Sequence, residues 1–298
     1  MSQVRRSIPL SQAAGARRKQ RPSVGRVLTR IVLALATAWA LFPVYWAVLT
    51  SLKLPNMQYA LAFIPWLQFQ PTLVEWKSQL VDQGTALYQS VFNSLVIALG
   101  SMAIALTLGT MAAYGLARFR YRRWKNRNIT MWFLSQRFLP PVATLVPFFL
   151  VMKTLNLLDT QLALILANAT FTLPFAVLLM RDAFKMLPDE LEESALVDGA
   201  SRFRAFRSIA LPLAAPSLVA TGIICFAFAW NEFLFGLVLS YQNARPITVY
   251  IAGSEATQGI AFWFVATRAL VAITPPMILS LLVQRYIVRG LTLGAVKG

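Results

Sequence analysis

Six of the chain's eleven carboxylates fall within thirty residues: Asp182, Asp189, Glu190, Glu192, Glu193 and Asp198 lie between Arg181 and Ala210. Acid–base catalysis would need such groups paired in a cleft. Here they share one charged connector with Arg181, Lys185, Arg202, Arg204 and Arg207, and long apolar runs flank it on both sides. The sequence contains no histidine, and its single cysteine, Cys225, lies inside an apolar run. Histidine catalysis, disulfide frameworks and cysteine–histidine metal sites are therefore excluded. Carboxylates gathered in one water-exposed connector suit recognition rather than bond-making, so the connector reads as a docking surface.

The elements that must carry this connector are membrane spans. Of 298 residues, 57% are hydrophobic and 13% charged, about half the charge of an ordinary soluble domain. Runs of about twenty apolar residues predict six helices, near Ile31–Leu52, Phe92–Leu116, Met131–Val151, Leu162–Met180, Pro212–Leu239 and Phe262–Tyr286. The first is too long for a signal-peptide core and lacks a cleavage site, so it is retained. The net charge of +17 is interleaved with these spans, which argues for a membrane surface rather than nucleic acid. Twenty-two Lys and Arg fall on the side of the termini and the acidic connector, against Lys53, Lys77, Lys153 and Arg245 on the other. That asymmetry predicts cytoplasmic termini and a cytoplasmic acidic loop.

Residues 1–26 are basic, without an apolar face, and predict a disordered cytoplasmic arm held near anionic lipid at about 1 kcal/mol per nearby cation. Residues 27–298 form the transmembrane domain. The segment Lys53–Ser90, with Pro55, Pro65, Pro71, Trp66 and Trp76, predicts short interfacial helices.

Within the connector, Pro188 suits a first helical turn, and Asp189, Glu190, Glu192 and Glu193 then meet the positive end of the helix dipole. Gly199 can end that helix in the left-handed conformation. Ser201 can cap a second helix, with Phe203, Phe206 and Ile209 on one face and Pro212 opening span five.

The spacing Glu193-x-Ala195, Gly199, Ile209-x-Leu211-Pro212 resembles the cytoplasmic EAA loop of ABC importer permeases, with Ser194 in place of the motif's first alanine. Phe-Ala-Trp230-Asn231-Glu232-Phe, Asn93-Ser-Leu, Leu139-Pro140-Pro141 and the ending Arg289-Gly290-Leu-Thr…Ala295-Val-Lys297-Gly298 are similar to the carbohydrate-uptake, maltose-permease-like branch. The likeness runs from about Val27 to the last residue.

The resemblance implies an all-α integral membrane protein, a type I ABC importer permease with six transmembrane helices. It implies a transport subunit rather than an enzyme. Its partners would be a second homologous permease subunit, two ATP-binding subunits and an extracytoplasmic solute-binding protein, with no nucleic acid. It implies no cofactor in this chain. ATP and magnesium would sit in the partner subunits, in keeping with the lack here of a Gly-x-x-x-x-Gly-Lys-Ser/Thr phosphate loop. Glu193, Ser194, Ala195, Asp198, Gly199, Ile209, Leu211 and Pro212 would form the joint to an ATPase subunit (about residues 181–210), Glu193 meeting a cation there. Ala295, Val296, Lys297 and Gly298 would reach between the two ATPase subunits.

Polar groups at membrane depth are the remaining functional candidates. Trp230, Asn231 and Glu232 have the types that recognise sugars, although three consecutive helical residues point in three directions. Arg137 either snorkels or pairs within the bundle, just before Pro140-Pro141. Arg268 snorkels from the outer end of span six. Asn168 and Thr172 share a face at i, i+4 and suit interhelical hydrogen bonds; Asn168 joins Arg137, Trp230, Asn231 and Glu232 as a candidate for the solute path. A secondary, ion-coupled transporter is the competing class, for which inverted repeats and paired midplane ionisable groups are expected.

Overall fold

A computed structural model describes residues 24–57, 59–253, 255–256 and 259–292. The chain divides into two compact units, residues 1–46 and 47–298. The described part of the first is the apolar helix α1, Val24–Ser51, which continues five residues into the second. Its start lies inside the stretch expected to be an irregular arm, and residues 1–23 lie outside the described residues.

In the second unit, Lys53–Ser90 forms a short 3-10 turn, helix α2 (Val74–Lys77) and a π turn, Ser78–Asp82, in line with the expected short helices. Then α3 runs from Gly84 to Arg118. Its 35 residues reach about 52 Å, more than a hydrocarbon core of about 30 Å requires. Helix α6, Gln161–Lys185, runs parallel to α3, its start beside Asn93 and its end beside Tyr114; Thr160 caps it, accepting a bond from the Ala163 N–H at 3.2 Å.

Packing of α3 on α6 is the most extensive helix pairing, and α10 (Ala215–Trp230) lies against both. Small side chains permit it. Ser101, Ala105, Gly109 and Ala113 are buried at four-residue spacing along α3. A Cβ on Gly109 would stand 2.6 Å from the Ala176 Cβ. Backbones that come this close gain dispersion contacts that bulky residues would prevent. Ser101 Oγ adds a bond to Ile165 O of α6 at 3.2 Å.

Two of the expected spans are broken. Residues 126–154 form α4 (Asn126–Gln136) and α5 (Pro141–Thr154), bent by 89°. Pro140 and Pro141 remove two backbone donors and force the preceding residue out of the α region. The fifth span is shorter than expected, because α10 stops at Trp230 and α11 restarts at Leu234–Leu239. At its other end, the segment Arg202–Leu213 meets α10 at 75°. Helices α12 (Ile247–Ala252) and α13 (Phe262–Thr292) complete the order, with a two-residue antiparallel pair, β1 (Glu255–Ala256) and β2 (Gly259–Ile260), between them. Among the described residues four helices are long and apolar enough to cross a membrane, and six spans result if each bent pair counts as one.

At the end of the bundle opposite Arg118, one carboxylate gathers a loop. Asp159, at φ +58, accepts from the backbone N–H groups of Tyr241, Gln242, Asn243 and Ala244 at 2.9–3.2 Å, and from Asn243 Nδ2 at 2.9 Å. Buried Asn93 Nδ2 donates to Asn243 O and Arg245 O, and Ser94 Oγ accepts from Ile247 N–H. The loop joining α11 to α12 is thus bound to both α3 and the start of α6.

Candidate functional site

The connector after α6 folds as two short helices. Beyond Pro188, α7 spans Glu190–Val197 with Glu190, Glu192 and Glu193 in its first turn, where carboxylates offset the helix's positive end. Gly199 has φ +85 and ends α7 as expected, with Ala200 N–H donating to Ala195 O at 2.9 Å. Ser201 caps α8 (Arg202–Ala205) by accepting from Arg204 N–H at 3.3 Å. A π turn, Phe206–Ala210, and the short helix α9, Leu211–Leu213, lead into α10.

One carboxylate of α7 points inward. Buried Glu192 accepts from Tyr114 Oη at 2.5 Å and from Arg118 Nε at 2.8 Å. The same guanidinium donates to Leu187 O at 3.1 Å and reaches Asp189 at 2.6 Å. Tyr114 packs edge-on to Phe184 of α6 and lies 4.7 Å from the Phe206 ring. This knot joins the end of α3, the end of α6 and both short helices. Reading the sequence alone left Glu192 among the groups that tune helix ends and missed Tyr114 and Arg118. Their distance of more than seventy residues from Glu192 left no local signal.

The opposite face of α7 is open. Glu193, Ser194, Val197, Asp198 and Gly199 are exposed, Val197 at 88%. Glu193 has no hydrogen bond or ion pair among the described residues, while Ser194 Oγ returns to Leu191 O. Ala195 is half-buried beneath them. Ile209, Leu211 and Pro212 lie apart from that face, at the 75° bend into α10, with Ile209 and Leu211 half-buried and Pro212 exposed. Ala295, Val296, Lys297 and Gly298 lie outside the described residues.

The two helix breaks face each other across a cavity of about 440 Å³. Arg137 and Pro141 contribute from the α4–α5 break, Asn231 and Glu232 from the α10–α11 break, and Asn168 and Phe175 from α6. The Arg137 guanidinium lies 3.8 Å from the centre of the Phe175 ring, so it pairs within the bundle by a cation–π contact. Glu232 accepts from Phe235 and Gly236 N–H at 2.8 and 3.1 Å, capping α11 while lining the cavity. Asn231 is exposed at the same break.

Three expectations fail here. Trp230 does not line the cavity: it is buried in the core on Phe226, and its Nε1 donates to Ala272 O at 3.2 Å. Among the described residues, Asn168 and Thr172 make no interhelical side-chain bond of the expected kind. Their side chains donate to Leu164 O and Asn168 O of their own helix, and both residues line the cavity. Arg268 does not snorkel. It is buried, donating to Gln79 Oε1 at 2.7 Å and Tyr250 O at 3.2 Å, with its guanidinium 4.1 Å from the Tyr250 ring. A polar pocket inside the bundle satisfies it better than a stretched reach to water.

Residues 105–293 match the family described as "Binding-protein-dependent transport system inner membrane component". The sulfoquinovosyl glycerol transport system permease protein SmoH of Agrobacterium fabrum is 36% identical over 277 residues, 92% of this chain and 95% of that one. The trehalose transport system permease protein SugB of Mycobacterium tuberculosis is 36% identical, over 85% of this chain and 97% of its own. The trehalose/maltose transport system permease protein MalG of Thermococcus litoralis is 30% identical, over 92% and 97%. Among solved structures, a chain of a bacterial ABC transporter involved in import of the acidic polysaccharide alginate has the same fold, with TM-score 0.72 at 22% identity over 87% of this chain and 95% of that one. The helix order, the two broken spans and these matches together make this chain a member of the inner-membrane components of binding-protein-dependent transport systems, the permease subunits of ABC importers.

Proposed function

We propose that this permease forms half of the pathway for a carbohydrate or polyol, and that α7 is its joint to an ATP-binding subunit. The observation that carries the joint is the division of α7 into two faces. Glu192 is bound into the bundle, while Glu193 and its neighbours present an open surface with small residues at Ser194 and Gly199. A surface fixed from behind moves the helices behind it when a partner moves it. Glu193, Ser194, Ala195, Asp198 and Gly199 contact the ATPase cleft, Ile209, Leu211 and Pro212 pass the motion to α10, and Ala295–Gly298 reach between the two ATPase subunits. The charge asymmetry of the connections supports cytoplasmic termini in a multi-pass cell-membrane protein. ATP and magnesium are bound by partner subunits. A second permease subunit completes the pathway, and an extracytoplasmic binding protein delivers the solute.

The sugar class rests on the relatives named for sulfoquinovosyl glycerol, trehalose and maltose transport. The cavity's aromatic walls (Phe171, Phe175, Phe228) and its amides (Asn168, Asn231) suit a polyhydroxylated solute. Arg137 and Asn231 are the residues placed to contact it.

Co-expression with the cognate ATP-binding and binding-protein partners tests both parts. Glu193→Ala is expected to lower ATPase recovery and uptake about tenfold or more, an effect of at least about 1.4 kcal/mol, with normal membrane insertion. Unchanged uptake and ATPase stimulation would remove Glu193 from the joint. Uptake that survives ATP depletion on an ion gradient would favour the secondary-transporter class.

A further inference from the structure

A second concavity lies on the flank of α3, away from the cavity described above. Between α3 and the connector runs a groove of about 440 Å³, walled by Leu106 and Met111 of α3, Phe203 and Phe206 of the connector, and Leu218 of α10. A smaller hollow of about 210 Å³ continues it, sharing Met111, Phe203 and Phe206. Met111 is 57% and Phe203 65% exposed, large apolar side chains left open along one line.

Its charged lining is cationic: Arg207 lines the larger part and Arg202 the smaller, and among the described residues no carboxylate lines either. Arg202 also lies 5.3 Å from the Phe119 ring. Thr110, also on the wall, has a buried hydroxyl with no hydrogen-bond partner among the described residues. Depth along α3 orders these features. Leu106 lies twelve residues inside Arg118, about 18 Å at 1.5 Å per residue, and Thr110 about 12 Å inside. The groove therefore runs from a cationic rim into the apolar depth of a span.

We propose that this groove holds one anionic phospholipid. Its acyl chain lies on Leu106, Met111, Phe203 and Phe206. Its phosphate accepts hydrogen bonds from Arg202 and Arg207, for which planar guanidinium groups are well shaped. A neighbouring apolar helix could cover the walls, but it would bring no anion to the two exposed arginines. Basic pockets beside spans suit the headgroups of anionic lipids. The inference is independent of the solute and of the ATPase joint.

Native mass spectrometry of the full-length chain in neutral detergent, with phosphatidylglycerol or phosphatidylcholine added, tests the site. One phosphatidylglycerol should be retained under activation that strips phosphatidylcholine. The double variant Arg202→Gln/Arg207→Gln should lower retention about tenfold or more. Arg122→Gln/Arg123→Gln, an equal loss of charge in the other basic connector, should leave it unchanged. Equal retention of the two lipids, or equal loss in both double variants, would overturn the proposal. Thermal melts confirm that each variant is folded. In intact membranes, a photoreactive residue in place of Thr107 should yield lipid adducts. Crosslinks to a protein chain instead would show that a partner subunit fills the groove and would likewise overturn it.

Discussion

The Tyr114 hydroxyl donates to the Glu192 carboxylate at 2.5 Å, tying the last turns of α3 to the first turn of α7 across 78 residues of sequence. With Arg118 on the same carboxylate, the pair makes the connector a rigid extension of the bundle rather than a hanging loop.

Breaking this tie should loosen the connector. Removing one partner of a buried ion pair costs about 3–5 kcal/mol, so Glu192→Ala should raise hydrogen exchange across residues 187–200 by two orders of magnitude or more. Tyr114→Phe removes one bond, worth about 1.5–3 kcal/mol to a charged acceptor, and should give a smaller rise. Glu193→Ala should leave exchange unchanged, because Glu193 has no partner to lose among the described residues. Equal effects of the Glu192 and Glu193 changes would contradict the two-faced α7.

Gly199 tests the backbone alone. A Cβ there meets no atom within 4 Å, yet φ is +85. Gly199→Ala should therefore cost about 1–2 kcal/mol through conformation, not contact. Gly199→Asn should cost less, since asparagine tolerates the left-handed region. Thermal melts of the three proteins give the order, and an alanine variant as stable as the parent would argue against this cap.

The Asp159 clamp should show as an acid limb. Burial raises its carboxyl pKa, but the N–H groups of Asn243, Tyr241, Ala244 and Gln242 outweigh that, and the net value lies below the ordinary one. A folded-state pKa below the unfolded one contributes stability that is full above the unfolded value, about 3.9. That stability is lost as pH falls through the folded value. The clamp should thus be constant from pH 7 to about 5 and weaken only below about 4. Asp159→Asn should lose about 1–3 kcal/mol at pH 7 and lack this limb, as thermal melts against pH would record.

Gly109→Ala should separate α3 from α6. The added Cβ would come within 2.6 Å of the Ala176 Cβ, closer than carbon atoms approach. Overpacking of this kind costs about 1–3 kcal/mol. Ala176→Gly in the same chain should restore part of the melting temperature, and no recovery would place the strain elsewhere.

Much of this protein follows from its sequence alone, because the signals are local or compositional. Long apolar runs demand spans, since backbone polar groups in lipid must bond within their own segment. Gly199, Ser201 and Pro188 punctuate the connector through their own backbone and side-chain chemistry, so its two short helices were legible before any fold. Pro140-Pro141 announced the third span's weakness, though not the 89° bend. What only the tertiary structure decided is which way each residue faces. Adjacent residues on a helix differ by about 100°, and nothing in an eight-residue helix that is acidic along its first turn says which carboxylate turns inward. Glu192 is held because Tyr114 and Arg118 await it on another helix. Trp230 is core because its indole stacks on Phe226 and α13 supplies an acceptor at Ala272, while the chain breaks after it and gives Asn231 and Glu232 to the cavity. Arg268 is buried because Gln79 and Tyr250 arrive from distant segments. Those partners meet only when the helices pack, which is why spacing located the docking connector but the bundle chose its inner and outer faces.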